Sequence, residues 1–275
     1  MKSYVDGRWQ PLSRVAAERV LARTALGGGV FTTLGVHGGA PLWLSHHLNR
    51  LAGEAVRLGY PVFPWGRLEE LAYRAIGKNR MRRGVVRIGL HGGVGEFVPF
   101  ALCEPPRPTP QHPVLQLVHV DHGPLGGYAK SHHQLRWRSF RDQATALGVF
   151  DLLVVRRGRL TETGRFNLFL EVDGQLCTPP ASEVFAGLAR SLLLQAVGSE
   201  ARVRPLAVAD LVAARRIMLT NSVRGVLAVS LVRDAIGRVI WKGGTSAESL
   251  FRIFGKAATV AHESDSRRPG VRAHD

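Results

Sequence analysis

The run Glu104-Pro105-Pro106-Arg107-Pro108-Thr109-Pro110 constrains this fold more than any other stretch. Proline fixes φ and offers no amide hydrogen, so four of them this close together cannot continue a helix or a central strand. Whatever is built before the run must end there. The chain has 275 residues, and at ~100–200 residues per domain that is one large domain or two small ones. The prolines favour two: a small N-terminal α/β domain over 1–107 and a larger C-terminal domain over 108–257. The segment 258–275, with Glu263-Ser264-Asp265-Ser266-Arg267-Arg268-Pro269-Gly270, reads as a flexible tail.

Hydrophobic periodicity fills in both halves. Before the prolines, residues 4–9 alternate as strand around the turn Asp6-Gly7, and 30–36 and 41–44 read as strands on either side of His37-Gly38-Gly39-Ala40. Ser45 reads as the N-cap of a helix through 58, with Leu48, Leu51, Ala52 and Ala55 on one face. A second helix spans 65–76, and 85–90 is rich in strand formers. After the prolines, 114–120, 152–155, 167–172, 175–178, 217–219 and 226–231 read as strands, and 133–147, 187–197 and 246–254 as helices. Strands and helices mix without regular βαβ alternation. That pattern predicts a mixed α/β chain of two α+β domains rather than a Rossmann fold.

Composition narrows the function classes. No apolar run approaches ~18 residues, so no transmembrane helix is expected. Met1-Lys2-Ser3-Tyr4-Val5-Asp6-Gly7 lacks an apolar signal core. The two cysteines, Cys103 and Cys177, cannot form a disulfide framework. A reducing cytoplasm is the expected setting. Lys plus Arg number 37 against 21 Asp plus Glu, a net charge of +16. Such an excess points to a polyanionic partner, whether nucleic acid or an anionic small molecule. The arginines are scattered rather than clustered, however, and a GC-rich genome produces the same composition.

Several motifs fail. Gly27-Gly28-Gly29 and Gly92-Gly93-Val94-Gly95 lack the GxGxxG context of a dinucleotide site, and Gly255-Lys256-Ala257 is not a P-loop. His46-His47, His132-His133 and His119-x-x-His122 have no cysteine or acidic cluster to complete a zinc set, so packed or solvated histidines and no metal are expected. There is no GxSxG nucleophile elbow.

One ordered set of segments does carry chemistry. Gly127-Tyr128-Ala129-Lys130-Ser131 puts a lysine between a turn and a helix. Thr161-Glu162-Thr163-Gly164-Arg165-Phe166-Asn167-Leu168-Phe169 follows, then Thr178-Pro179-Pro180 leading into Gly187-Leu188-Ala189-Arg190, then Thr220-Asn221-Ser222-Val223-Arg224-Gly225. In the first half stand Val30-Phe31-Thr32-Thr33-Leu34 and His47-Leu48-Asn49-Arg50-Leu51. This order resembles the class IV, or fold type IV, pyridoxal-phosphate enzymes: branched-chain and D-amino-acid aminotransferases and 4-amino-4-deoxychorismate lyases. The family carries a Schiff-base lysine, a "TExxxxNLF" strand, "TPP…GxxR" at a helix start, a "T[GN][TS]" segment, "vFeTl" and "HlxRL". The resemblance spans nearly the whole chain, from Tyr4 to Phe254.

The resemblance implies a two-domain fold type IV enzyme with pyridoxal 5'-phosphate as cofactor. Lys130 would hold the cofactor and move protons on the substrate. Glu162 would keep the pyridine nitrogen protonated. Backbone amides at Leu188 and Ala189 would face the phosphate at a helix start, with Asn221 and Ser222 as further donors and Arg50 as the cation. Ala189 stands where relatives often have a hydroxyl residue. Thr32 and Tyr128 are candidate substrate residues, and Asn167 would brace the Glu162 strand. The tyrosine that many relatives carry shortly after the lysine is absent, and Gln134 or Arg136 stands near its place. The short chain, the "FTT" form at Thr32 and the Asn221-Ser222 segment tilt the resemblance toward 4-amino-4-deoxychorismate lyase, with an amino-acid aminotransferase as the alternative. A basic nucleic-acid-binding protein on a degenerate scaffold is the remote alternative. The family resemblance also implies a homodimer acting on an anionic amino compound.

Overall fold

The computed structural model describes residues 1–26, 28–60, 62–93, 96–106, 108, 110–121, 130–243 and 255. Tyr128, the helix expected over 246–254 and the tail at 258–275 lie outside them, as do the side chains of Gln134 and Arg136. The chain divides into two compact units. Among the described residues the first holds 1–106, 130–134 and 255, and the second holds 108–121 and 135–243. Both mix strands and helices, the class the sequence predicts.

In the first unit, β1 (Lys2–Val5) and β2 (Arg8–Pro11) form a hairpin. Its turn residues, Asp6 and Gly7, have φ of 50° and 78°, the left-handed pair that Asp-Gly adopts readily. Then come α1 (Arg14–Leu26), β3 (Gly29–His37), β4 (Ala40–Pro41), α2 (Leu44–Arg57), α3 (Gly66–Lys78), β5 (Arg83–Gly93) and β6 (Glu96–Glu104). The strands form one sheet in the order β2-β1-β6-β5-β3-β4. Alternation along the strands decides which helix each residue meets. Val30, Leu34, Val86 and Ile88 pack with Leu48 and Leu51 of α2 and Leu68 and Leu71 of α3, while Phe31, Phe100 and Leu102 pack with Val20 and Leu21 of α1. Each fully buried leucine here contributes about 1.5–3 kcal/mol. β4 pairs only with Val36 and His37, so among the described residues the outer edge of β3 from Gly29 to Leu34 carries no strand.

Two local readings change. The strand expected over 41–44 shrinks to β4, and the helix starts after Trp43 rather than at a Ser45 cap. Trp43 has φ 54° and is 1% exposed. Burying the indole, not a serine hydroxyl, sets the chain's path there. Neither α1 nor β6 has a sequence reading. The helix α1 shows a short apolar face: among its residues whose burial is described, Val20, Leu21 and Thr24 are the buried ones. Pro99 interrupts β6, yet β1 registers with β6 only at Tyr4↔Ala101 and leaves Pro99 without a partner on that side. A missing amide is tolerated at such a position.

The second unit contains β7 (Val114–His119), most of α4 (Lys130–Ala146), β8 (Asp151–Arg156), β9 (Arg159–Thr163), β10 (Asn167–Val172), β11 (Gln175–Thr178), α5 (Leu188–Val197), β12 (Ala201–Val203), β13 (Leu206–Ala207), α6 (Val208–Ala213), β14 (Arg216–Asn221), β15 (Gly225–Ala228), β16 (Leu231–Arg233) and β17 (Val239–Lys242). The main sheet path is β12-β11-β10-β9-β8-β7-β16-β17, with β14 joined to β10 and β15 to β14. The stretch 226–231, a single strand by its apolar pattern, is split between β15 and β16 around buried Val229. Leu153, Leu168, Leu170 and Leu219 anchor the main core, and Trp137, Phe140 and Ala144 of α4 pack with Leu152 and Val154 in a second. No helix among the described residues is long and apolar enough to cross a membrane.

Lys130 was expected in the domain after the prolines; it belongs with the first unit instead. The cause is contact between residues 76 positions apart in the chain. Its amide donates to Glu54 of α2 at 3.4 Å, and its ammonium lies 5.7 Å from the centroid of the Phe31 ring on β3.

Candidate active site

In the first unit five residues from three elements converge. Thr32 on β3 is fully buried, and its hydroxyl oxygen lies 2.6 Å from His47 Nδ1 on α2. Arg50 Nη2 donates to the same oxygen at 2.7 Å, and Arg50 Nη1 donates to Glu54 Oε1. Glu54 Oε2 accepts the Lys130 amide. His47, Arg50 and Glu54 fall on one face of α2 because they are three and four residues apart. Glu54 is 2% exposed. Burial pushes its carboxyl up, and Arg50 is the largest influence drawing it back.

The donors constrain the proton arrangement. Arginine can only donate, so the Thr32 oxygen accepts from Arg50, and it meets His47 Nδ1 as donor or as acceptor according to the imidazole tautomer. His47 Nε2 is buried and has no hydrogen-bond partner among the described residues. Burial, then Arg50 and Lys130, hold its pKa well below 6.5. A neutral histidine in the fold that protonates when the chain unfolds stabilises the protein fully above pH 6.5. That contribution is lost as pH falls through the lower folded value. We expect the melting temperature to drop between about pH 7 and 5, and a His47→Asn variant to show a shallower drop. The raised Glu54 carboxyl acts with the opposite sign, so the difference between the two proteins isolates His47. Parallel slopes in thermal melts across that range would remove His47 from the account.

In the second unit the spacing of the TExxxxN segment is explained by a tight hairpin. β9 and β10 register at Glu162↔Asn167, and β10 and β14 at Asn167↔Thr220, so three motif residues form one row across three strands. The connecting turn is stapled from below. Buried Asp151 accepts from the Thr163 hydroxyl and from Arg165 Nε, both at 3.0 Å, and the Arg165 guanidinium lies over the Phe150 ring at 4.7 Å. Glu162 is 4% exposed. Its Oε2 accepts from Asn167 Nδ2 at 2.9 Å and its Oε1 from the Phe185 amide at 3.0 Å. Asn167 Nδ2 also donates to the Phe185 carbonyl at 2.8 Å.

The segment after Phe185 opens α5. Gly187 is its N-cap, and no side chain caps the helix. The first amides, at half-buried Leu188 and buried Ala189 and Arg190, have no intrahelical acceptor and lie at the positive end of the helix dipole. Arg190 is buried and holds the preceding loop, donating to the Pro179 carbonyl at 2.8 Å and to Thr178 Oγ1 at 3.3 Å. Asn221 ends β14, and its Oδ1 accepts the amides of Val223 and Arg224 at 3.0 and 2.8 Å while its Nδ2 donates to the Arg165 carbonyl. Its side chain thus shapes the turn in which half-buried Ser222 sits.

The structure therefore gathers Thr32, Arg50 and Lys130 in one unit, and Glu162, Leu188, Ala189, Asn221 and Ser222 in the other. Sequence reasoning gave no role to Glu54, to His47 beyond its place in a motif, or to Arg190. An acid on the apolar stripe of α2, four residues after Arg50, was the available signal for Glu54.

Comparison with known proteins follows the same lines. The family model described as amino-transferase class IV matches residues 29–232. No curated protein matches the sequence. Among solved structures, 4-amino-4-deoxychorismate lyase from Pseudomonas aeruginosa is 25% identical with a TM-score of 0.71, covering 92% of this chain and 97% of that one. The branched-chain amino acid aminotransferase from Escherichia coli is 19% identical with a TM-score of 0.72, covering 92% and 91%. A hypothetical aminotransferase from Mycobacterium tuberculosis in a PLP-bound form is 22% identical with a TM-score of 0.71, covering 96% and 100%.

Proposed function

The chain belongs to the class IV aminotransferase family, and on that premise we propose that it is a pyridoxal-phosphate lyase acting on 4-amino-4-deoxychorismate. The family uses pyridoxal phosphate, and the donor set here fits it. Lys130 offers a primary amine, Arg50 a guanidinium held on two sides, and the uncapped start of α5 a set of amides for a phosphate. Buried Glu162, with a donor on each oxygen, is held as a carboxylate suited to a protonated pyridine nitrogen. When bound, the cofactor supplies an electron sink for the carbon next to the substrate nitrogen.

The chain's own residues then have distinct tasks. Lys130 Nζ takes the proton from that carbon and returns protons to the products. Glu162 keeps a negative charge fixed where it favours the protonated ring, and Asn167 and Phe185 keep Glu162 from turning away. Arg50 in the first unit and the α5 amides in the second would each offer donors to a phosphate. These tasks serve both a lyase and an aminotransferase.

The lyase assignment rests on the turn that closes β14. Thr220-Asn221-Ser222-Val223-Arg224-Gly225 resembles the lyase segment, and Asn221 folds it back on the amides of Val223 and Arg224. Thr32, the lyase-like residue of β3, supports the same reading because its hydroxyl completes the Arg50 and His47 contacts. On this reading the enzyme is a cytoplasmic homodimer that takes an anionic amino compound and releases pyruvate and 4-aminobenzoate. Incubation with 4-amino-4-deoxychorismate should yield both products in equal amounts, followed by a pyruvate-coupled assay. Absence of pyruvate, with transfer of an amino group to 2-oxoglutarate, would assign the aminotransferase activity instead.

A further inference from the structure

Glu54 is an anomaly on its helix. The buried face of α2 is otherwise Leu44, His47, Leu48, Leu51 and Ala55. A carboxylate buried among such residues is costly unless charged or hydrogen-bonding partners surround it. Both of its oxygens are used, and each use reaches a different part of the catalytic machinery. Oε1 takes Arg50 Nη1 within the same helix, and Oε2 takes the amide of Lys130, 76 positions along the chain.

We propose that Glu54 is a positioning residue that ties the phosphate-binding Arg50 and the helix start carrying Lys130 to a single carboxylate. The inference rests on the proposed use of pyridoxal phosphate. Glu54 itself lies outside both family motifs of the first unit, "vFeTl" and "HlxRL".

Two physical arguments support it. Lys130 is the first residue of α4, and the first amides of a helix have no acceptor within the helix. A buried carboxylate accepting one of them caps the helix from outside and sets a negative charge at its positive end. Arg50 is steered from two directions, by Glu54 through Nη1 and by the Thr32 hydroxyl through Nη2. Its fork is thereby fixed in plane, whereas a singly held guanidinium would swing about its stem. The amide of Lys130 is pinned on the α2 side while its ammonium reaches the Phe31 ring of β3. A shift of Glu54 would therefore move the arginine and the lysine together.

Glu54→Gln separates this role from simple packing. Glutamine keeps the volume but has one acceptor and one donor end, so either Arg50 or the Lys130 amide must face an amide N–H. Two measurements are made on wild type and variant. The first is amide hydrogen exchange at the start of α4 without added cofactor, expected to quicken by on the order of tenfold or more. The second is the affinity for pyridoxal phosphate against that for pyridoxal, which lacks the phosphate. The phosphate-bearing compound should lose on the order of tenfold relative to the other. If either quantity stays at its wild-type value, the two-sided tie is overturned. Exchange that quickens evenly along the chain, with equal loss for both aldehydes, also overturns it by reducing Glu54 to a packing residue. Glu54→Asp, one methylene too short to reach both partners, takes the same two measurements with the same outcomes should the glutamine variant fail to fold. A wild-type protein that binds neither aldehyde defeats the cofactor reading, and the exchange measurement still decides whether Glu54 holds Lys130.

Discussion

Lys130→Ala is expected to abolish the visible absorbance that pyridoxal phosphate gives on this protein and to lower turnover by at least about a thousandfold. The size of the effect comes from losing one amine with two tasks: holding the cofactor's aldehyde and moving protons on the substrate carbon. The fold should hardly notice. The tie to Glu54 runs through the Lys130 amide, which alanine retains, and the ammonium that alanine removes approaches the Phe31 ring at 5.7 Å. A cation so placed is worth about 0.5–2 kcal/mol, and alanine is a better helix former than lysine. The two effects oppose each other, so the melting temperature should move little. Absorbance and thermal melts on the same samples check both halves. A variant that keeps its absorbance and its activity would remove Lys130 from the site and with it the proposed chemistry.

The residues that could be read from the sequence are those whose signal is local. The α2 stripe has helical spacing, the Asp6-Gly7 turn has its own chemistry, and Glu162 and Asn167 lie five positions apart because the hairpin sets them opposite each other. Such features survive in a string of letters. Contacts between residues far apart in the chain do not. Nothing in the neighbourhood of Glu54 announces that Lys130 would bring its amide there, or that Lys130 would leave the half of the chain in which it is written. Strand β6 was hidden for a related reason. Pro99 argues against a strand by propensity, and only the short reach of β1 makes it harmless. The cap at Trp43 went unread because burial of an indole outweighs the preference for serine at a helix start. The +16 charge, the most conspicuous number in the composition, says little about the site, where Arg50 is matched to buried Glu54 and Arg190 is turned to backbone and hydroxyl oxygens.

Gly187→Ala tests whether the brace behind Glu162 matters, because it disturbs the site without touching a charged group. The backbone at Gly187 is extended, with φ −71° and ψ 136°, which alanine accepts without strain. The obstacle is space. A Cβ there would stand 2.1 Å from Asn167 Oδ1 and 3.3 Å from its Cγ. Asn167 cannot simply step aside, since it is 5% exposed and its Nδ2 is committed to both Glu162 and the Phe185 carbonyl. Moving it breaks those bonds and strips a buried carboxylate of one donor, at a cost of about 2–4 kcal/mol. Turnover should fall by on the order of a hundredfold, because a charge displaced by about 1 Å no longer supports the ring. Unfolding in denaturant measures the first quantity and steady-state assay the second. The double variant Gly187→Ala with Asn167→Ala distinguishes the clash from other causes. Removing the asparagine makes room for the new methyl, so the pair should be clearly less destabilised than the sum of the two single changes. Strict additivity would mean that Gly187 is not held open for Asn167.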